Sequence, residues 1–249
     1  MQIKAFPHLV PRVPHLVPRT SYLALRVPHL ASRTSYLVLL AILLLASCET
    51  DSYDKGEGQY SLMQADFVEA HTDADCRVSY VLTDEGDSLL AEPRFTTSAI
   101  GRADTAYRAI LYYDRVGTQG FKARSFSLVP TLRPMLADTL ERVLTDPLKL
   151  ESLWRPNRGR YVNMGVLLMS GLPDTDDQRH AVGLVLDSVQ RHADGLATAC
   201  CRLYHDQGGV PEYYSVRRYL SIPVSALDAD SLRLAVTTYN GVVVKTVPL

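Results

Sequence analysis

The chain has 249 residues, 47% of them hydrophobic and 21% charged, which suits a globular protein with one large or two small domains. The first 47 residues contain five basic residues and no acid, so the rest combines 21 basic with 27 acidic residues. Nucleic acid is excluded as a partner, because its phosphate backbone selects for basic surfaces.

Residues 1–47 are predicted to form a secretory signal peptide. Arg33 is the last charge before the apolar run Tyr36–Ala46, which ends two residues before Cys48. The run is too short for a transmembrane helix, which needs about 20 apolar residues. The sequence Leu-Ala-Ser-Cys at 45–48 resembles the lipobox of bacterial lipoproteins, which implies cleavage before Cys48 and lipid on its sulfur. A buried free cysteine is the less favoured alternative.

Residues 48–58 are predicted to be a flexible tether, because they are polar and contain glycine. Lipid on Cys48 makes the membrane the first partner of the chain, and two or three acyl chains anchor a protein stably. The early acids Glu49, Asp51 and Asp54 resemble the acidic start that directs Bacteroidetes lipoproteins outward. An outer-membrane lipoprotein of the cell envelope is therefore expected, with surface exposure left open.

The leader contains a repeat, since Val13–Leu25 recurs as Val27–Leu39. The period is too short for a solenoid unit, and the recurring prolines block a helix. We interpret the repeat as repetitive DNA read through from an upstream start, and we expect the true start between the repeats and Tyr36.

Residues 59–134 are predicted to be a small OB-like β-barrel. Five short runs with strand-like patterning and turn residues between them dominate this unit. The runs are Leu62–Ala70, Cys76–Leu82, Ser88–Ala91, Tyr107–Tyr113 and Phe121–Val129. Asp84–Asp87 separates the second and third runs and predicts a hairpin. Five short strands suit an OB-fold or half of a sandwich.

Residues 135–156 are predicted to be a linker with one short helix. Asp138–Glu141 has the pattern of a capping box, and the apolar residues around it share one helical face. Pro147 ends the predicted helix, because proline lacks the amide proton that a helix needs.

Residues 157–249 are predicted to be a β-sandwich. Tyr161–Met169 is apolar on both faces, which favours a central strand. The next predicted strands are His180–Val189, Leu196–Tyr204, Val216–Val224 and Leu232–Tyr239. Asn240-Gly241 stands between two apolar runs and predicts a two-residue hairpin. The fold class is therefore all-β, with an OB-like barrel, a short linking helix and a sandwich.

This domain order behind a lipobox resembles the NigD-like lipoproteins of the Bacteroidetes. The resemblance covers most of Gln59–Leu249 and rests on Asp146-Pro147, Trp154, Tyr161–Asn163 and Leu203–His205. It implies an OB-like N-terminal domain, a β-sandwich C-terminal domain and an outer-membrane location. It implies no active-site residues, because the family has no established biochemical role.

The sequence contains none of the catalytic or cofactor motifs that we sought. A P-loop, a zinc-protease motif, a nucleophile elbow and a CxxC motif are all missing. Asp174, Asp176 and Asp177 partly match a calcium loop, but Arg179 and Val185 replace its glycine and glutamate. A solvated acidic loop is the preferred interpretation. No enzymatic activity, cofactor or metal is therefore expected.

The candidate recognition loop is Tyr204–Tyr214, where Gly208, Gly209 and Pro211 predict irregular structure. Its candidate contact residues are Tyr204, His205, Asp206, Tyr213 and Tyr214. Tyrosines offer contact area with a polar tip, but the more common alternative is that one tyrosine only covers the sandwich edge and the other starts the next strand. For His205, a hydrogen-bonded histidine at a strand end is preferred over a metal ligand, because its neighbour points to the opposite face.

Three cysteines remain besides Cys48. Cys200 and Cys201 are adjacent, so a disulfide between them would be strained. Either could pair with Cys76 in an oxidising envelope, or all three could be buried thiols. No disulfide is expected.

Together these features predict a non-enzymatic envelope lipoprotein that binds a glycan, a peptide or a protein partner. The alternative is a structural lipoprotein that docks onto an outer-membrane complex. A concave groove with exposed aromatic side chains favours the first, and a flat apolar patch of several hundred Å² favours the second. The fold alone decides neither, because both β scaffolds serve many functions.

Overall fold

Five strands close into a barrel in the computed structural model, which describes residues 62–157 and 159–249. The strands are β1 (Gln64–Thr72), β2 (Val78–Thr83), β3 (Ser88–Phe95), β4 (Ala106–Val116) and β5 (Gly120–Leu128). Around the barrel they follow the order β1-β2-β3-β5-β4, with β3 and β5 parallel. This is the OB-like barrel predicted from the sequence.

Alternation of side chains along the strands builds the barrel core. In β4, Ala109, Leu111 and Tyr113 are fully buried inside the barrel. Arg108 lies one residue earlier, so its side chain points out of the barrel and reaches Ser221 in the second unit. A single strand therefore supplies both the core and a contact with the rest of the chain.

The second unit is a sandwich of two sheets. Its strands are β6 (Pro134–Leu136), β7 (Lys149–Trp154), β8 (Tyr161–Ser170), β9 (Ala181–Arg191), β10 (Ala197–Asp206), β11 (Tyr214–Pro223), β12 (Ser231–Thr238) and β13 (Gly241–Pro248). One sheet has the order β13-β12-β10-β9-β6 and the other β11-β8-β7. Thr238 pairs with Gly241, so the predicted two-residue hairpin is present, but its two loop residues are Tyr239 and Asn240 and not the predicted Asn240 and Gly241. The all-β fold class is confirmed as well.

The helix predicted in the linker is wrong. Residues 137–139 form a single 3-10 turn directly after β6. β6 pairs with β9, and Thr145 bridges to His205. This pairing with the sandwich keeps the segment extended and overrides the local helical pattern. The predicted linker, 135–156, therefore supplies β7 and most of β6 to the sandwich.

The barrel packs against the outer face of the three-stranded sheet. Along β8, Val162 and Met164 point into the sandwich core, whereas Asn163 between them contacts the barrel. On β1, the ring of Phe67 meets the ring of Tyr219 from β11. β8 is thus covered on both faces, which is the physical reason for its continuous apolar sequence.

The barrel and the sandwich belong to one compact part of the chain. Predictions for the signal peptide, the tether and the lipid on Cys48 lie outside the described residues. Within the described ranges, no helix has both the length and the apolar character needed to cross a membrane.

Candidate functional site

A buried guanidinium joins the barrel to the sandwich. The side chain of Arg108 is 2% exposed. It donates two hydrogen bonds to the carboxylate of Asp84, at 2.7 and 2.6 Å, one to Asn163 Oδ1 at 2.8 Å and one to Ser221 Oγ at 3.1 Å. Asn163 Nδ2 also donates to Asp84, at 2.8 Å. Such complete pairing offsets the cost of removing a charge from water, which is several kcal/mol per ion.

Aromatic rings enclose this guanidinium. Its carbon lies 4.2 Å from the centroid of Tyr161 and 5.3 Å from that of Phe67, within the range of cation–π attraction. Phe67 in turn meets Trp154 and Tyr219 edge to face, at 5.6 and 5.5 Å. The hydroxyl of Tyr161 donates to Glu69 across the same boundary, and burial raises the pKa of Tyr161 to about 12. The hydroxyl therefore stays protonated and keeps donating.

We call this set the interface cluster; it comprises Phe67, Asp84, Arg108, Trp154, Tyr161, Asn163, Tyr219 and Ser221. The chain crosses from barrel to sandwich beside it, because Val129 N–H donates to Arg108 O and Ser221 is hydrogen-bonded to both Pro130 and Leu132. Its charges and amides bond to one another, so the cluster fixes the barrel on the sandwich. Its role is structural.

The far end of β8 leads to a second region, where loops of the sandwich converge. We call it the loop end; its segments are 140–148, 171–180, 204–214 and 239–242. Asp146 N–H donates to His205 O at 2.9 Å, and Tyr213 N–H donates to Ser170 O at 2.9 Å. Tyr239 belongs to the same region, because Leu148 N–H donates to Thr237 O at 3.1 Å just before it. Partial burial and then the carboxylates of Glu212 and Asp146 raise the pKa of Tyr239.

The loops of this region are held by their own hydrogen bonds. Gln207 Nε2 donates to the carbonyl oxygens of Met169 and Val210, both at 2.9 Å. Gly208 has φ of 60°, and a Cβ at this position would collide with the carbonyl oxygen of Arg179. Only glycine fits there, so the sequence Gly208-Gly209 serves close approach between two loops.

Two histidines, His180 and His205, connect the loops of this region. His205 Nδ1 lies 2.9 Å from Asp146 O, and His205 Nε2 lies 3.2 Å from His180 Nδ1. Because a carbonyl oxygen only accepts, neutral His205 carries its proton on Nδ1, and His180 Nδ1 donates to His205 Nε2. Desolvation, followed by the proximity of His205, lowers the pKa of His180. His180 Nε2 is buried without a hydrogen-bond partner among the described residues.

The five predicted recognition residues all lie at the loop end, in different surroundings. Tyr204 is half-buried beside Gly183, and His205 is 1% exposed. Asp206 Oδ1 accepts a hydrogen bond from Gly208 N–H at 2.8 Å. The rings of Tyr213 and Tyr214 are exposed. His205 is the hydrogen-bonded histidine at a strand end that the sequence favoured.

Sequence reasoning missed other exposed residues at the loop end. Leu172 is 81% exposed, Val242 65% and Tyr239 51%. Tyr239 carried a usable signal, because it precedes Asn240-Gly241 and a hairpin turn places its first residue at a loop tip. The interface cluster was missed as a unit, although Trp154 and the segment Tyr161–Asn163 had carried the family resemblance.

Other potential sites are weaker. Two shallow polar depressions, of about 380 and 400 Å³, lie away from the exposed tyrosines, one at Asp66 and Arg115 on the barrel and one at Val224 on the sandwich. Among the described residues, no group of three or more histidines, cysteines or acids could hold a metal ion. Cys76 packs on the barrel core and Cys201 in the sandwich core, both as free thiols.

Comparison with known proteins supports the architecture. No family model and no curated protein matches the chain. A NigD-like immunity protein from Bacteroides caccae is 21% identical, with a TM-score of 0.57 over 73% of this chain and 91% of that one. A candidate toxin-related protein from Parabacteroides distasonis is 15% identical, with a TM-score of 0.58 over 74% of this chain and 91% of that one.

A candidate lipoprotein from Bacteroides fragilis is 10% identical, with a TM-score of 0.51 over 75% of this chain and 97% of that one. At such identities the likeness concerns the fold. The likeness spans 91–97% of the three compared chains. The described residues therefore adopt the fold of the NigD-like proteins, which confirms the resemblance predicted from the sequence.

Proposed function

We propose that this protein is a lipoprotein of the outer membrane that binds a protein partner through the loop end and has no enzymatic activity. The lipobox-like sequence ending at Cys48 supports the anchor. The structural likeness to a candidate lipoprotein is consistent with it. Lipid on Cys48 would hold the barrel and sandwich at the membrane, with the loop end available for contact.

The exposed side chains of the loop end carry this proposal. Leu172, Tyr213 and Tyr239 protrude from three different loops. Hydrogen bonds of Gln207 hold the loop of Tyr213 against the end of β8, and those of Thr238 hold the turn of Tyr239. Ordered loops lose little conformational entropy on binding, and tyrosine supplies a large contact area with a polar tip. A protein partner fits protruding rings better than a glycan or small ligand does, because small ligands favour concave sites.

The polar groups of the loop end support binding over catalysis. His205 Nδ1 and the carboxylate of Asp206 bond to the backbone of their own loops, and Asp146 Oδ2 accepts from Gln207 N–H at 2.8 Å. Their hydrogen-bonding capacity is used in shaping the loops. A catalytic acid or base instead needs to reach a substrate.

A structural role in assembly is the second candidate, and β13 favours it. This strand lies at the edge of the five-stranded sheet, where Val242 and Val244 are 65% and 46% exposed. An uncovered apolar edge is typical of surfaces that pair with another chain. Lys245 on the same strand is exposed and acts against such pairing, because a charged side chain on an edge strand disfavours pairing with another chain.

In-cell photo-crosslinking separates the two candidates. A photoreactive phenylalanine analogue is placed at Tyr213, at Val244 or, as a control on the barrel, at Leu90, which is 51% exposed. A specific adduct from position 213 alone supports binding at the loop end, and one from 244 alone supports assembly through β13. Adducts from neither position, or equally from Leu90, would contradict both.

The anchor is tested separately in the same cells. Metabolic labelling with an alkyne fatty acid is expected to mark the wild-type chain in the membrane fraction. Cys48→Ala is expected to lose the label and leave that fraction, whereas Cys76→Ala keeps both. Labelling that survives Cys48→Ala would disprove the anchor.

A further inference from the structure

The acidic excess of the chain is concentrated at the loop end. Its four segments hold seven of the 27 acids and two of the 26 basic residues of the whole chain. The acids are Glu141, Asp146, Asp174, Asp176, Asp177, Asp206 and Glu212. They account for most of the acidic excess that follows the predicted signal peptide. A surface of one sign attracts partners of the other and speeds their encounter.

These acids also form no ion pairs within the described residues, whereas half of those in the barrel do. Five of the ten acids in residues 62–129 form ion pairs, as Asp84 does with Arg108. Within the described residues, no acid of the loop end forms one. Asp146 and Asp206 bond to backbone N–H groups, but Glu212 and the loop 173–178 are exposed. These carboxylates are left for another molecule.

Exposed tyrosine rings lie among these carboxylates. Tyr213 follows Glu212 directly, and its ring lies against Gly171 at the start of the acidic loop. Partial burial and then the carboxylate of Glu212 raise the pKa of Tyr239. A guanidinium can stack on a tyrosine ring while it donates hydrogen bonds to an adjacent carboxylate, as Arg108 does between Tyr161 and Asp84 in the interface cluster. The interface cluster thus contains, within the chain, the arrangement of tyrosine ring and carboxylate that the loop end presents to another molecule.

We infer that the partner of the loop end is a basic protein segment, which places arginine side chains on Tyr213 and Tyr239 and pairs them with Glu212 and the acids of the loop 173–178. This inference rests on the proposed function and adds the chemistry of the partner to it. Arginine suits the site better than lysine, because its planar group both stacks and forms paired hydrogen bonds.

The test uses the full-length lipidated protein in detergent micelles and three fluorescent 12-residue peptides. The peptides alternate glycine or serine with arginine, lysine or glutamate. We expect the arginine peptide to bind most tightly, the lysine peptide more weakly and the glutamate peptide not at all. Binding should weaken as salt is raised, because salt screens exposed charges.

Two quadruple variants with the same change in net charge show which part of the protein attracts the arginine peptide. D174N/D176N/D177N/E212Q removes acids of the loop end, and D75N/E85Q/E92Q/D104N removes exposed acids of the barrel. We expect the first to weaken binding of the arginine peptide about tenfold, which is about 1.4 kcal/mol, and the second to change it less than about twofold. Tyr239→Ala should also weaken it severalfold.

Equal loss in the two quadruple variants overturns the inference, because net charge alone would then explain the binding. Failure of the arginine peptide to bind overturns it as well. If crosslinking from position 213 still captures a protein in cells, the proposed function stands and only the chemistry of the partner is wrong. If position 213 captures nothing, the proposed function itself fails.

Discussion

In the interface cluster, the carboxylate of Asp84 accepts three hydrogen bonds, whereas at the loop end the carboxylate of Glu212 forms no ion pair within the described part of the chain. The tyrosine rings of the two regions differ in the same way. Tyr161 covers Arg108, while Tyr213 is 79% exposed. Both regions contain tyrosines and carboxylates, so residue type does not separate them.

The two regions differ in whether their side chains have partners within the chain, and this difference indicates their roles. Removing a group from the interface cluster leaves a buried partner unsatisfied, and this costs stability. Removing an exposed side chain from the loop end leaves no buried partner unsatisfied, so we expect the cost to fall on binding. Changing a residue that holds its loops together, such as Gly208 or His180, costs stability instead. The variants below test this division, from the largest expected change in stability to the smallest.

Asp84→Ala is expected to cause the largest loss. It leaves the guanidinium of Arg108 buried without its charge partner, which costs about 3–5 kcal/mol in comparable buried pairs. Asp87→Ala is the matched control, because Asp87 pairs with Arg115 at the surface and such pairs contribute about 0–1 kcal/mol. The free energy of unfolding in urea measures both. Equal losses would contradict a structural role for the interface cluster.

Gly208→Ala is expected to cost about 1–3 kcal/mol, because it combines a left-handed backbone with a collision against Arg179. Gly195→Ala is the control, since Gly195 has φ of 87° but open space around its Cα. The difference between the two unfolding free energies measures the collision alone. If the two variants lose the same amount, the packing of Gly208 against Arg179 contributes nothing.

Acid is expected to weaken the histidine pair. The pKa of His180 is lowered in the folded protein, so below about pH 6.5 the unfolded chain binds more protons than the folded one. The free energy of unfolding therefore decreases as the pH is lowered. His180→Asn should flatten this part of the pH profile between pH 6.5 and 5. His192→Asn is the control, because His192 lies at the start of another loop. An unchanged slope in His180→Asn would disprove the role of His180.

Tyr213→Ala is expected to change the free energy of unfolding by no more than about 0.5 kcal/mol, because the ring is exposed. Tyr161→Ala, which removes the ring over Arg108, should cost several times as much. The same two variants sharpen the comparison in cells. Tyr213→Ala should lose its partner while remaining folded, and a large loss of stability in Tyr213→Ala would contradict a binding role for that ring.

Much of the fold follows from local sequence. Apolar patterning predicted the strands of both units except β6 and β7, and Asn240-Gly241 predicted the hairpin between β12 and β13, because neighbouring residues decide period and turn type. The helix expected around Asp138–Glu141 failed for the opposite reason. The residues on either side of it, in β6 and at Thr145, pair with β9 and with His205, which lie far along the chain.

The candidate sites depended still more on tertiary structure. Arg108 stands 55 residues from Asn163 and 113 from Ser221, and no local pattern predicts that the three share hydrogen bonds. Likewise, adjacent residues of Tyr204–Tyr214 differ in whether they are buried. By itself, the sequence determined the β-strands, the order of the two units and the acidic character of the loops. Which tyrosines and carboxylates are satisfied internally was decided only when distant strands met, because burial is a property of the packed chain.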